Sequence, residues 1–288
     1  MVIVDTHVHT SPYLFEPVEV LLFQMNRNRV DKATLAQHFF YWNKVDKTTA
    51  TMGKNFGQED NRYIIECSRR FPGRFSPIIQ VNEEHIDAPE TLKQWVKEGA
   101  EGLRLHATTR SPGKDPLAIW RAWAELGLPV SCAGNFDEFT STEFNNIVKS
   151  FPEMPIIIEH QGLGKLGRDR FPTEATFPKL LSLANYPNTY IKVGGLTEFC
   201  GTPFPFRPPH AFDPVPPFIK MVYNAFGPSR MTWGSNFPGC TEGYGNTLRY
   251  VEEYLATFCN DEAKEWILGK TALSLFKFQQ GNSRSPRI

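Results

Sequence analysis

Eight short β-branched or apolar runs recur along this chain. Each leads into a segment with helical spacing, and no hairpin signal separates one unit from the next. The runs are Val2–Val4, Lys32–Gln37, Phe75–Val81, Gly102–His106, Leu128–Cys132, Ile156–His160, Thr189–Val193 and Arg230–Ser235. They recur every roughly 25 to 45 residues, the interval of a strand-plus-helix unit. Between them, Asn61–Phe71 places Tyr63, Ile64, Cys67 and Phe71 on one side, and Leu117–Leu126 groups Leu117, Trp120 and Ala124. Glu252–Phe258 and Glu262–Leu268 read as two closing helices. Strand alternating with helix eight times predicts an α/β fold, a (β/α)8 TIM barrel. An open, doubly wound sheet is the alternative.

Composition sets the frame for function. The 288 residues, 41% hydrophobic and 22% charged, suit one large α/β domain or two small ones. The pattern favours a single domain over 1–280, with GNSRSPRI at 281–288 as a disordered tail. Thirty-one basic residues balance 31 acidic ones. Bulk charge therefore recruits neither nucleic acid nor a membrane surface. No apolar run reaches the roughly 18 residues of a membrane span, and no basic segment leads into an apolar core as in a signal peptide. Cys67, Cys132, Cys200, Cys240 and Cys259 form no CxxC pair. That scattered, odd number fits a reducing cytoplasm. A homo-oligomer stays open.

Two connections exceed plain turns. Phe39–Gly57 is rich in aromatics, and Leu196–Phe218 contains FCGTPFPFRPPHAFDPVPPF. In a barrel these follow strands 2 and 7, on the face where active sites are built. They read as aromatic lids over a pocket, with Phe204, Phe206 and Arg207 as substrate contacts and His210 within reach. A rigid surface loop or a subunit contact is the other reading.

The chemistry begins at VDTHVHT. Side chains two apart in a strand share a face, so His7 and His9 project together from the end of the first strand. Two imidazoles aimed at one point can hold a metal or polarise a substrate oxygen. A pair of exposed histidines is the bland reading. In GLRLH, Arg104 and His106 share a face. Arg104 presents a bidentate anion site if that face is the interior. An arginine paired with an internal carboxylate and a capped loop histidine are the plain alternatives. His160 ends IIIEH, and alternation turns Glu159 away from the interior. Asp5 shares the parity of His7 and His9, which allows it to orient an imidazole. Cys132 reads as a small buried hydrophobe rather than a nucleophile. Gly162-x-Gly164-x-x-Gly167 matches a dinucleotide fingerprint on paper, but RDRFP follows where a helix must open. Lys165, Arg168 and Arg170 in that loop either favour an anion or are simply solvated.

Several of these stretches resemble one family. VDTHVHT resembles the first-strand HxH motif of the amidohydrolase superfamily, in its "amidohydrolase 2" branch of lactonases and metal-dependent decarboxylases. RVDKATLAQ, FPGRFSPIIQVN, LGLPV, NTYIKVGGL, SRMTWGSNFP and ILGKTALSLF are similar to later landmarks in the same order, from Val2 to about Phe278. The resemblance implies that His7, His9 and His160 are metal ligands or carbonyl-polarising imidazoles. It puts Asn236, in GSNFP, where most members carry an aspartate. Two departures weaken a metal site: LPVSCAGN offers Cys132 or Ala133 where a strand-5 histidine often stands, and Asn236 is neutral. Zinc is the divalent ion the three histidines would take if they take one, and no organic cofactor is expected. Without a metal, neutral imidazoles donate to a developing oxyanion, and the base on water falls to His160, His106 or Glu159. The implied activity is hydrolysis of a small lactone bearing a carboxylate, a small anionic partner. The alternatives are a metal-dependent decarboxylase or lyase, and a barrel that has lost hydrolysis and binds or isomerises a ligand.

Overall fold

Eight parallel strands hydrogen-bond in the order in which they occur in the chain. They are β1 (Val4–Val8), β2 (Lys32–Ala36), β3 (Phe75–Ile79), β4 (Gly102–His106), β5 (Val130–Ala133), β6 (Ile156–Ile158), β7 (Thr189–Val193) and β8 (Met231–Trp233). A doubly wound sheet would reverse its strand order at a switch point, and none does. The ring closes between the last strand and the first. Val8 bridges Phe237 in parallel, His9 N donates to Phe237 O at 2.7 Å, and Asn236 N donates to His7 O at 2.8 Å. This computed structural model describes residues 1–11, 15–37, 56–164, 172–194, 217–240 and 242–279. Most of both lid segments lies outside the described residues, as do Phe204, Phe206, Arg207, His210, Lys165, Arg168, Arg170 and the 281–288 tail.

The strands are apolar because helices cover them outside and side chains fill them inside. Helices α1 (Val18–Arg27), α2 (Phe56–Arg70), α3 (Ala88–Glu98) and α4 (Ala118–Ala124) follow the first four strands. Trp120 and Trp123, both on α4, are fully buried. Each indole N–H still finds a carbonyl, Thr109 O and Pro129 O, both at 3.1 Å. Inside the barrel, Val4, Ala36, Ile78 and Ile157 pack with Phe276 and Phe278 from the chain end. Glu101 secures that end by accepting from Ser76 Oγ at 2.6 Å and from Phe278 N at 3.0 Å. Among the described residues, no helix is long and apolar enough to cross a membrane.

Strand β4 and β7 have the bounds the sequence predicts, but β1 does not. It runs on through Val8, so His7 lies within the strand rather than past its end. The β1–β2 register slips between Asp5 and Val8, where three steps along β1 match two along β2. Such a bulge breaks alternation. Asp5 therefore does not orient the His7 ring. Its carboxylate accepts from the backbone N–H of His7 at 3.0 Å and of Ser235 at 2.9 Å. Burial raises that carboxyl to about 6, against the lowering effect of these bonds.

Gly234 lets the seam close. A Cβ there would sit 2.7 Å from His7 Cβ and 3.2 Å from His7 N. Gly234→Ala is expected to cost about 1–3 kcal/mol of overpacking. In a calorimetric scan that is a fall in melting temperature of about 2–5 °C for a domain of this size. An unchanged melting temperature would mean the seam is slack.

Near the barrel mouth, Asn61 clasps Gln80, taking its N–H at 3.1 Å and donating to its carbonyl at 2.7 Å. Beside it Asp60 is buried, and its Oδ1 has no hydrogen-bond partner among the described residues. Burial raises this carboxyl to about 7, partly offset by Ser11. The folded protein thus holds a proton that the unfolded chain releases near pH 4, so stability falls as pH climbs from there through about 7. Asp60→Asn removes that loss. Its melting temperature should exceed that of the natural protein by at least about 3 °C at pH 8, with the gap closing toward pH 4.

Candidate active site

The polar interior begins above the apolar plug. Arg104 on β4, Ser131 on β5, Lys192 on β7 and Glu159 just after β6 are all buried. Glu159 is the centre of this group. Arg104 meets it through Nε at 3.0 Å and Nη2 at 2.7 Å, and Ser131 Oγ donates to its Oε1 at 2.6 Å. Lys192 Nζ stands 3.9 Å from Oε1. Burial alone would raise the Glu159 carboxyl, but the charges of Arg104 and Lys192 outweigh it and hold the group well below the carboxylate range.

This placement corrects two expectations. Glu159 points inward, not outward, because Ile157 is the interior residue of β6 and Glu159 follows it by two. It is also too acidic to serve as a base on water. Arg104 faces the interior, but its guanidinium grips Glu159 and the Gln37 carbonyl, at 2.9 Å, rather than lying open as an anion anchor. Here the plain reading describes the geometry. Sequence reasoning missed Lys192 altogether. Its signal was available: a lysine inside TYIKV, a strand otherwise of the buried type.

His7 and His9 converge, with Nε2 atoms 3.2 Å apart. His9 is oriented by Nδ1, 2.7 Å from Ala36 O, and its ring stacks on Phe15 at 5.6 Å. His7 Nδ1 faces Lys192 Nζ at 3.2 Å. Burial, then the Lys192 charge and the neighbouring histidines, holds the His7 imidazole neutral, far below its ordinary range.

His160 reaches the same place by a different route. Alternation would turn it outward, but His160 (φ 50°, ψ 37°) and Gln161 (φ 54°, ψ 24°) both adopt the left-handed conformation. For residues with a Cβ this costs about 1–2 kcal/mol each. The turn swings the His160 ring to 4.6 Å from that of His7, and leaves the side chain 20% exposed against 2% for His7. His7, His160, Lys192, Val193, Gly194 and Gly234 line a narrow gap there.

The remaining candidates lie at the margin. Asn236 also has positive φ, 60°. It is half-buried and tied to the site through its backbone bond to His7. His106 sits at the rim, with Nδ1 2.8 Å from Thr108 Oγ1 and Nε2 3.7 Å from Glu138 Oε2. Cys132 is fully buried, and burial pushes its thiol well up, so it is no nucleophile.

Whether the site suits a metal follows from its donors. His7, Glu159 and His160 bring ligand atoms within 4.8 Å of one another, a set with Glu159 in place of the expected His9. Nitrogens sharing a tetrahedral zinc stand about 3.3 Å apart, so the His7–His9 spacing alone is compatible. The rest is not. Glu159 is engaged by Arg104 and Ser131, β5 offers Cys132 and Ala133, β8 leads to a neutral amide, and two buried cations oppose one carboxylate. The residues present do not fit a divalent ion.

A family model described as Amidohydrolase (Amidohydro_2) matches residues 4–278. The chain is 27% identical over 237 residues to an L-fucono-1,5-lactonase of Burkholderia ambifaria, covering 77% of each chain. A Pseudomonas putida structure, provisionally named a 2-pyrone-4,6-dicarboxylic acid hydrolase, superposes with TM-score 0.69 at 20% identity, over 96% of this chain and 98% of that one. An amidohydrolase from Burkholderia multivorans with bound zinc gives 0.67 at 14% identity, over 96% and 99%. The two structural likenesses bear on fold alone. The barrel, the histidines meeting at its seam and the match across nearly the whole chain lead to one conclusion: this protein belongs to the amidohydrolase family of that model.

Proposed function

We propose that this protein is a hydrolase that opens a small lactone bearing a carboxylate. The observation that carries the reading is the meeting of three imidazoles, from β1, its end and the turn after β6, around His7 and beside a buried lysine. The carbonyl oxygen lies against His7 and His9, where an imidazole N–H stabilises the charge that develops on it. His160, the most exposed of the three, takes a proton from water as the water oxygen attacks the carbonyl carbon. The Asn236 amide holds that water. The tetrahedral intermediate then expels the ring oxygen, and His160 returns the proton to it, leaving a hydroxy acid.

Charge favours an anionic substrate. Among the described residues, Arg104 and Lys192 face one carboxylate, Glu159, a balance that is positive. The pyrone-named neighbour agrees with an anionic substrate, while the lactonase relative, named for an uncharged sugar lactone, agrees with lactone opening alone. A decarboxylase of this fold would need a bound ion, which the donors disfavour. A barrel that has lost hydrolysis is the rival that Asn236 motivates.

Sugar lactones and pyrone carboxylates, followed by acid release in a weakly buffered indicator assay, separate these readings. The natural protein should hydrolyse at least one. His160→Ala should lower kcat/KM by about 10²- to 10⁴-fold. If the panel yields acid only with Asn236→Asp, the natural protein is not a hydrolase.

A further inference from the structure

Hydrogen-bond directions around His7 are set from both ends. The Ala36 carbonyl can only accept, so His9 Nδ1 carries a proton. In the neutral ring His9 Nε2 is then the acceptor. His7 Nε2, 3.2 Å away, must donate to it. That leaves His7 Nδ1 as the acceptor, facing Lys192 Nζ at 3.2 Å.

The other end gives the same answer independently. Glu159 is an ionised carboxylate and only accepts, so Ser131 Oγ spends its single proton on Oε1. Ser131 must therefore accept from Lys192 Nζ, at 2.7 Å. An ammonium has three donors and no acceptor. Its next proton goes to His7 Nδ1.

We propose that Lys192 is a positioning residue that locks His7 in the Nε2–H tautomer and thereby ties the histidine pair together through an Nε2–H···Nε2 bond instead of leaving two lone pairs to a divalent metal. To ligate a metal through Nε2, His7 would need its proton on Nδ1, pointed at an ammonium. Metal-bound histidines instead direct that N–H at a carboxylate, carbonyl or water. Here Lys192 Nζ, at 3.2 Å, stands nearer to Nδ1 than the Glu159 carboxylate, at 3.7 Å, so the proton stays on Nε2, where it bonds His9 in the resting protein. The proposal concerns the resting protein and does not depend on the lactone reading.

Two measurements test it. Long-range ¹H–¹⁵N spectra of the natural protein, with His7 assigned by signal loss in His7→Asn, should show a protonated Nε2 and a bare Nδ1. The reverse pattern overturns the proposal, and this experiment needs no lysine variant to fold. Zinc affinity, by competition with a chromophoric chelator, should rise about 10- to 100-fold in Lys192→Met, the range typical of partners behind a ligand. Lys192→Arg, which keeps a donor, should stay near the natural value. Equal affinities in the natural protein and Lys192→Met, with melting curves showing both folded, would refute the assignment. So would tight zinc binding by the natural protein that is lost in His7→Ala. Neither readout uses a substrate, so a silent lactone panel leaves the result standing.

Discussion

The buried carboxylate of Glu159 is the fixed point of this barrel's interior. Arg104 comes from β4, Ser131 from β5 and Lys192 from β7, and all three turn toward it. A buried ion pair is weak evidence of stability, since desolvation of the charges offsets their attraction. The interior could have continued as the aliphatic plug of Val4, Ala36, Ile78 and Ile157 below it. What the network supplies is direction. A carboxylate that only accepts, an ammonium that only donates and a guanidinium that binds in two places leave each neighbour one consistent arrangement. The His7 ring receives its orientation from that arrangement.

The second constraint is covalent geometry. The ring of strands closes at Val8–Phe237, with Asn236 and His9 making the closing backbone bonds, so the seam and the gap beside His7 are the same place. On the opposite side, two successive residues in the left-handed region bring His160 to the centre. Strain of this kind persists only where the surroundings enforce it. Gly162, the next residue, leaves no room for a Cβ beneath Leu180, so the turn is packed in place rather than tolerated at the surface.

These features explain which parts of the molecule were legible in the sequence. The eight apolar runs gave the barrel because burial on both faces demands them, and β4 and β7 matched their predicted bounds. HxH was legible as a convergent pair because the motif is local. The orientation of Glu159 was not. Ile156, Ile157 and Ile158 are the same residue three times, so nothing in the run marks its inner face. The β1 bulge is equally silent, since it arises from register with β2 and misassigned Asp5. Lys192 could have been found by asking what a lysine inside a buried-type strand pairs with. Its partners are 61 and 185 residues away in sequence, and only ring closure brings them near.

Asn236 ties these strands together. Its left-handed backbone, φ 60°, suits asparagine and aspartate alike, so conformation does not account for the amide. Charge does. Among the described residues two cations face one carboxylate, and an aspartate at the seam would offset that difference. On the proposed reading, a neutral residue keeps a field that draws an anion and leaves proton transfer to an imidazole. The same difference repels a divalent ion. The absent strand-5 histidine, the amide at 236 and the ammonium behind His7 are therefore one coherent set: each moves the site away from metal ligation, as the proposed reading of a carbonyl bound by hydrogen bonds requires.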